Sequence, residues 1–147
     1  MLEPGDIHGR DYYKDENGNF VKAPFVPYDQ RKRFCFDLDG TLCRSREENQ
    51  EYKDVEPIKG MCALVRRLKC SGHYIIIYTA RNMVTFDGNV GKIIKHQVPI
   101  IQEWLKKHDV PYDELVVGKP HADYFVDDKG VNPLTLSTTE LRNLLTQ

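Results

Sequence analysis

Short apolar runs alternating with helix-length segments constrain this chain more than any other feature. RFCFDL begins at Arg33, PIKGMCALVRRLKCSG at Pro57 and YIIIYTA at Tyr74, giving strand, helix, strand. The middle segment places Ile58, Met61, Leu64, Val65 and Leu68 at helical spacing, starts with Pro57 and stops at Ser71-Gly72, as a helix with a proline start and a glycine exit should. A helix joining two buried apolar strands implies a parallel sheet with a right-handed crossover. The alternation goes on with VPIIQEWLKKHDV, whose Ile100, Ile101, Trp104 and Leu105 share a helical face, then with the runs ELVV and DYFVDD. STTE at Ser137 to Glu140 is a capping-box pattern ahead of Leu141, Leu144 and Leu145. The expectation is an α/β fold with a parallel sheet of about four to five strands and helices on both faces.

In such folds ligands bind beyond the carboxyl ends of the strands. Each apolar run delivers polar residues there: Asp37, Asp39, Gly40 and Thr41 after the first, Thr79, Ala80 and Arg81 from the second, Gly118 and Lys119 after the third, and Asp127 and Asp128 from the fourth. Four carboxylates arriving together need a neutralising cation. Magnesium suits them, because it takes oxygen ligands and shares its sphere with one or two carboxylates, waters and a phosphate oxygen. The absence of a Cys or His cluster argues against zinc or copper. A threonine hydroxyl and a lysine ammonium are groups that hold the remaining phosphate oxygens while a carboxylate attacks phosphorus.

The pattern DLDGTL at 37 to 42, after an apolar strand, resembles the first motif, Asp-x-Asp-x-Thr, of the haloacid dehalogenase superfamily of phosphatases. Thr79 after IIIY, Lys119 after ELVVG and Asp127-Asp128 after YFV resemble its next three motifs in order. The run from YTARNMVTFDGNVGK through ELVVGKP and ADYFVDD is similar to small phosphatases of that superfamily associated with bacterial capsule polysaccharide biosynthesis, over roughly residues 33 to 136. The resemblance implies a Rossmann-like core. It also implies Asp37 as nucleophile and metal ligand, and Asp39 as general acid and base with its carbonyl on the metal. Thr79 and Lys119 would hold phosphoryl oxygens, and Asp127 and Asp128 would complete a magnesium site. Asp39 also fits what a phosphomonoesterase needs, a proton donor for the leaving alkoxide.

Gly40, Thr41, Ala80, Arg81 and Asn82 are the candidate substrate-binding positions, with Arg81 the foremost contact for a leaving group because of its planar fork; structural pairing of Arg81 with the acidic loop or with Asp128 is the alternative. Neither gap between the motifs holds an inserted cap, so the site is expected to be capless, with residues 42 to 56 as a small flap hairpin and residues 80 to 114 taken by a loop plus one helix. Such a site admits larger substrates unless a neighbouring copy or the amino-terminal arm closes it. The implied activity is hydrolysis of a phosphorylated sugar or related small metabolite; a phosphotransferase, a protein or polynucleotide phosphatase and a non-catalytic interaction module are the alternatives.

The chain has 147 residues, 40% hydrophobic and 29% charged, with a formal net charge of -1 and a pI near 6.5. That suits one globular domain and gives no reason to expect nucleic-acid or membrane partners. Residues 1 to 30 read as an arm, either loosely ordered or folded as a hairpin with Asn17-Gly18 as its turn between Tyr12-Tyr13 and Phe20-Val21; residues 31 to 147 read as the phosphatase-like domain. No apolar run suits a signal peptide or a membrane span, and Cys35, Cys43, Cys62 and Cys70 show no CxxC spacing, so the expected setting is cytoplasmic with reduced thiols. Assembly into a homo-oligomer is left open.

Overall fold

The computed structural model describes residues 12–147; the first eleven positions of the arm lie outside the described residues. The arm's remainder forms an antiparallel hairpin, β1 (Tyr12–Lys14) with β2 (Phe20–Lys22), registered Tyr13 to Val21. Its turn is tied by the Asp15 carboxylate, which accepts from the Asn17 and Asn19 amides at 2.9 Å each. Tyr13 and Ala23 are buried with Cys70.

Three strands make the main sheet: β3 (Arg33–Phe36), β4 (Tyr74–Thr79) and β5 (Glu114–Val117), all parallel, in the order β3-β4-β5. Helix α1 (Lys59–Cys70) makes the first connection, and α2 (Val90–His96) with α3 (Val98–Lys107) makes the second. A final helix, α4 (Thr138–Leu145), begins where Ser137 Oγ accepts from the Glu140 amide at 3.0 Å.

The expected sheet of four to five strands in a Rossmann-like core is corrected by this architecture. The run Tyr124-Phe125-Val126 joins no sheet; Tyr124 is 87% and Val126 97% exposed. An apolar run has the side chains of a strand, but without a partner edge its amides and carbonyls form no ladder. Nor does the sheet carry helices on both faces. Register places Phe36, Ile77 and Leu115 side by side, with Thr79 beside Val117, and this face, with Phe34 and Ile75, belongs to the core formed with α1, α3 and α4. On the other face Cys35 and Val116 are exposed and Ile76 and Tyr78 half-buried. The alternation of buried and half-buried residues along β4 records this one-sided packing.

Two more sequence expectations change. The segment between β4 and β5 contains two helices rather than one, because Asn89 Oδ1 accepts from the Lys92 amide at 3.1 Å and starts α2 ahead of α3. Residues 42 to 56 are hairpin-like only at their base, where Cys43 forms an antiparallel bridge to Pro57 and the Arg44 and Ile58 amides donate to Glu56 O and Leu42 O at 2.8 Å each. They make a loop with a 3-10 turn at Tyr52–Asp54, held by Arg46 Nη1 donating to the carbonyls of Glu47, Glu48 and Gln50. Trp104 Nε1 fastens this loop to α3 by donating to Val55 O at 2.8 Å. No helix among the described residues is long and apolar enough to cross a membrane.

Candidate functional site

The chain leaves β3 at Phe36 and winds tightly around one atom. Leu38 O accepts from the amides of Thr41, Leu42 and Cys43 at 2.9 to 3.2 Å, while Leu38 itself is buried in the core. Gly40 has φ +84°, the left-handed conformation this turn requires and glycine supplies without strain. With Leu38 pinned inward, its neighbours Asp37 and Asp39 line an open cavity of about 380 Å³.

Strand β4 brings Thr79 to the same cavity, and β5 brings Lys119. The two strand ends are joined by the Lys119 amide donating to Thr79 O at 3.1 Å. Gly118, at φ +89°, turns the chain so that Lys119 faces Asp37. Lys119 Nζ lies 3.4 Å from Asp37 Oδ1, and Thr41 Oγ1 donates to Asp37 Oδ2 at 3.3 Å. Both contacts are long, and the Asp37 side chain is 35% exposed, so this carboxylate has lone pairs available to an incoming group. Thr79 is buried, and its Oγ1 accepts from the Arg81 amide at 3.1 Å, which leaves its own proton to donate.

Asp39 is held differently. Arg81 Nε donates to Asp39 Oδ2 at 3.0 Å and Arg81 Nη2 to Asp39 Oδ1 at 2.7 Å, a two-pronged ion pair. Arg81 Nη1 donates to Gln97 Oε1 at 3.2 Å, and the Tyr52 ring lies 4.3 Å from its Cζ. The Arg81 side chain is 1% exposed. Its role as a leaving-group contact is corrected: a buried guanidinium committed to a carboxylate has no fork left for substrate. The sequence alternative, pairing with the acidic loop or with Asp128, named other partners; the carboxylate that Arg81 pairs with is Asp39. Cys43 lies under the pair; burial, and next the Asp39 charge, push its thiol up to about 12. It therefore stays protonated and donates to Asp39 Oδ1 at 3.4 Å.

Of the other sequence candidates, Ala80 and Asn82 line the cavity, whereas Gly40 and Thr41 serve the turn and the Asp37 contact. Asp127 and Asp128 are not brought to it. Both are exposed, and Asp127 Oδ1 accepts from the amides of Lys129 and Gly130 at 2.6 Å each, closing its own turn. Among the described residues no three His, Cys, Asp or Glu side chains gather as a metal cluster. The carboxylate oxygens facing the cavity, with Asp37 the less committed, fit a magnesium ion that keeps most of its shell as water and phosphate oxygen. Asp127 and Asp128 contribute no donor to that fit in this arrangement.

Tyr52, Gln97 and Phe125 are site residues that the sequence reading missed. Phe125 lies 4.6 Å from Lys119 Nζ by its ring centroid. Gln97 gave no usable signal, because neither its burial nor the helix junction it occupies is visible in the sequence. The hairpin β1–β2 lines none of the cavity; it packs on α1, where Arg66 donates to the carbonyls of Lys14 and Asp15.

No protein-family model matches the chain, and no curated protein matches it. A crystal structure of a structural-genomics target from Vibrio cholerae is similar at 41% identity, covering 78% of this chain and 97% of that one, with a TM-score of 0.67.

Proposed function

This chain belongs to the family of that Vibrio cholerae protein, and from its own cavity residues we propose that it is a phosphatase of the haloacid dehalogenase type, hydrolysing phosphate monoesters through an aspartyl-phosphate at Asp37. One observation carries the reading: the ends of three parallel strands bring Asp37, Asp39, Thr79 and Lys119 to a single cavity, with Lys119 and Thr41 on either oxygen of Asp37.

In the first step, with Asp39 entering the cycle in its protonated form, an Asp37 oxygen attacks phosphorus and the bond to the leaving oxygen breaks as that oxygen takes the Asp39 proton, which the second step restores. In the second, water attacks the same phosphorus, its proton goes to Asp39, and the Asp37–phosphorus bond breaks. Lys119 steadies the nucleophile and offsets charge on the phosphoryl oxygens, and the Thr79 hydroxyl donates to one of them. Magnesium, held by Asp37, would supply further charge neutralisation when bound.

The mouth of the cavity mixes Tyr52, Val84 and Phe125 with Asn82, Thr85 and His121, which supports a small leaving group with an apolar face and hydroxyls, as a sugar has. The four cysteines are free, which supports a reducing, cytoplasmic setting. The test is phosphate release from a panel of sugar phosphates, nucleotides and phosphopeptides, with and without magnesium, by the native protein and Asp37→Asn. The expected result is magnesium-dependent release, highest on a sugar phosphate, that falls to background in the variant. Release that survives the substitution, or none from any substrate, overturns the proposal.

A further inference from the structure

Resting on the phosphatase reading, we propose that Arg81 is a positioning residue, whose guanidinium aims the Asp39 carboxylate at the leaving oxygen of the ester. The pair is closed from one side only: Arg81 is 1% exposed, while the Asp39 side chain keeps 28% of its surface toward the cavity.

The guanidinium is itself immobilised. Gln97 accepts from Nη1, Cys43 Sγ lies 3.7 Å from Nη2, and Tyr52 covers the plane. Gln97 passes the restraint on through Nε2, which donates to Asn82 Oδ1 at 2.5 Å. A carboxylate offers about four lone-pair sites. Arg81 takes one on each oxygen and the Cys43 thiol approaches Oδ1, so Oδ2 retains a site that can carry the proton Asp39 gives up in the first step and takes back in the second.

Proton transfer in both steps needs heavy atoms roughly 2.6–3.2 Å apart, and a carboxylate free to rotate meets that condition only part of the time. Lysine at position 81 would keep the charge but lose the two-pronged hold. Arg81 thus acts through Asp39, and its loss should matter in proportion to how much the leaving group needs a proton.

The experiment measures kcat/KM, which reports the steps up to loss of the leaving group, for phenyl phosphate and 4-nitrophenyl phosphate. The two esters have similar shapes, but phenolate leaves far less readily without a proton. For Arg81→Lys the expected loss is about 30-fold on phenyl phosphate and less than about fivefold on the nitrophenyl ester. Gln97→Leu, which loosens the guanidinium without touching Asp39, should shift the same ratio in the same direction by a smaller factor, and it is the deciding variant if Arg81→Lys does not fold. Equal losses on both esters, or none on either, overturn the positioning role and leave the phosphatase reading standing. A native protein that hydrolyses the nitrophenyl ester alone has no working acid for Arg81 to aim, which also overturns it. No hydrolysis of either ester by the native protein overturns the phosphatase reading and this role with it.

Discussion

Asp37 and Asp39 stand two positions apart on one turn, yet their surroundings differ in the way the two proposed roles require. Asp37 has two long contacts, to Lys119 and Thr41, and keeps lone pairs open to the cavity. Asp39 is gripped by Arg81 and backed by a protonated Cys43 thiol. The chemical candidates Asp37, Asp39, Thr79 and Lys119 were legible in the sequence because they follow directly on strand ends. The burial of Arg81 was not, since it depends on Gln97 and Tyr52, which lie 16 and 29 positions away in the chain. Two histidines away from the cavity give stability a pH dependence. Burial, and then Lys32 and Arg31, lower the pKa of His73, whose Nδ1 accepts from the Lys32 amide; burial, and then Lys107, lower that of His108. In each case the unfolded state binds the proton more readily, so stability is fully present above the ordinary histidine range near pH 6.5 and falls as pH drops through it. Thermal melts between pH 5 and 8 should show the melting temperature rising with pH, and His73→Gln should flatten part of that rise. A slope unchanged by the substitution would mean that His73 contributes nothing to it.

At the level of elements, the site depends on how each strand ends. Gly118 turns β5 toward the cavity at φ +89°, and a Cβ there would lie 3.1 Å from Val90 Cγ2 on α2. Gly118→Ala should therefore cost about 1–2 kcal/mol from the left-handed conformation, and should lower phosphate turnover by displacing Lys119. Denaturant unfolding and steady-state rates check both; unchanged turnover would separate Lys119 from the chemistry. Strands β3, β4 and β5 and helices α1, α3 and α4 were legible because their apolar residues recur with the period of the element. Tyr124 to Val126 carries the same signal without becoming a strand, because side-chain pattern does not report whether an edge is there to pair with. Helix α2 escaped notice for the converse reason: seven residues with Ile93 as their one buried side chain give almost no period.

Across the whole molecule the cavity and the hairpin stand apart. Tyr13 is buried against Cys70, on the carboxyl-terminal turn of α1, whereas the cavity is lined from the carboxyl ends of the strands. The described part of the arm is therefore no lid, although a tyrosine-rich segment could be read as one from sequence, where nothing says which end of the sheet it covers. Tyr13→Ala should lower stability by about 3 kcal/mol, in the range of buried aromatic truncations. It should leave kcat/KM unchanged well below the melting temperature; a selective loss of kcat/KM would return the hairpin to the site. Everything proposed for the cavity turns on covalent chemistry at Asp37, and the most direct measurement is acid quench of the native protein during turnover, followed by peptide mass spectrometry. The predicted result is one phosphoryl group on Asp37 in the native protein and none in Asp37→Asn, whereas phosphate release with no phosphoryl group on Asp37 at any quench time would contradict it.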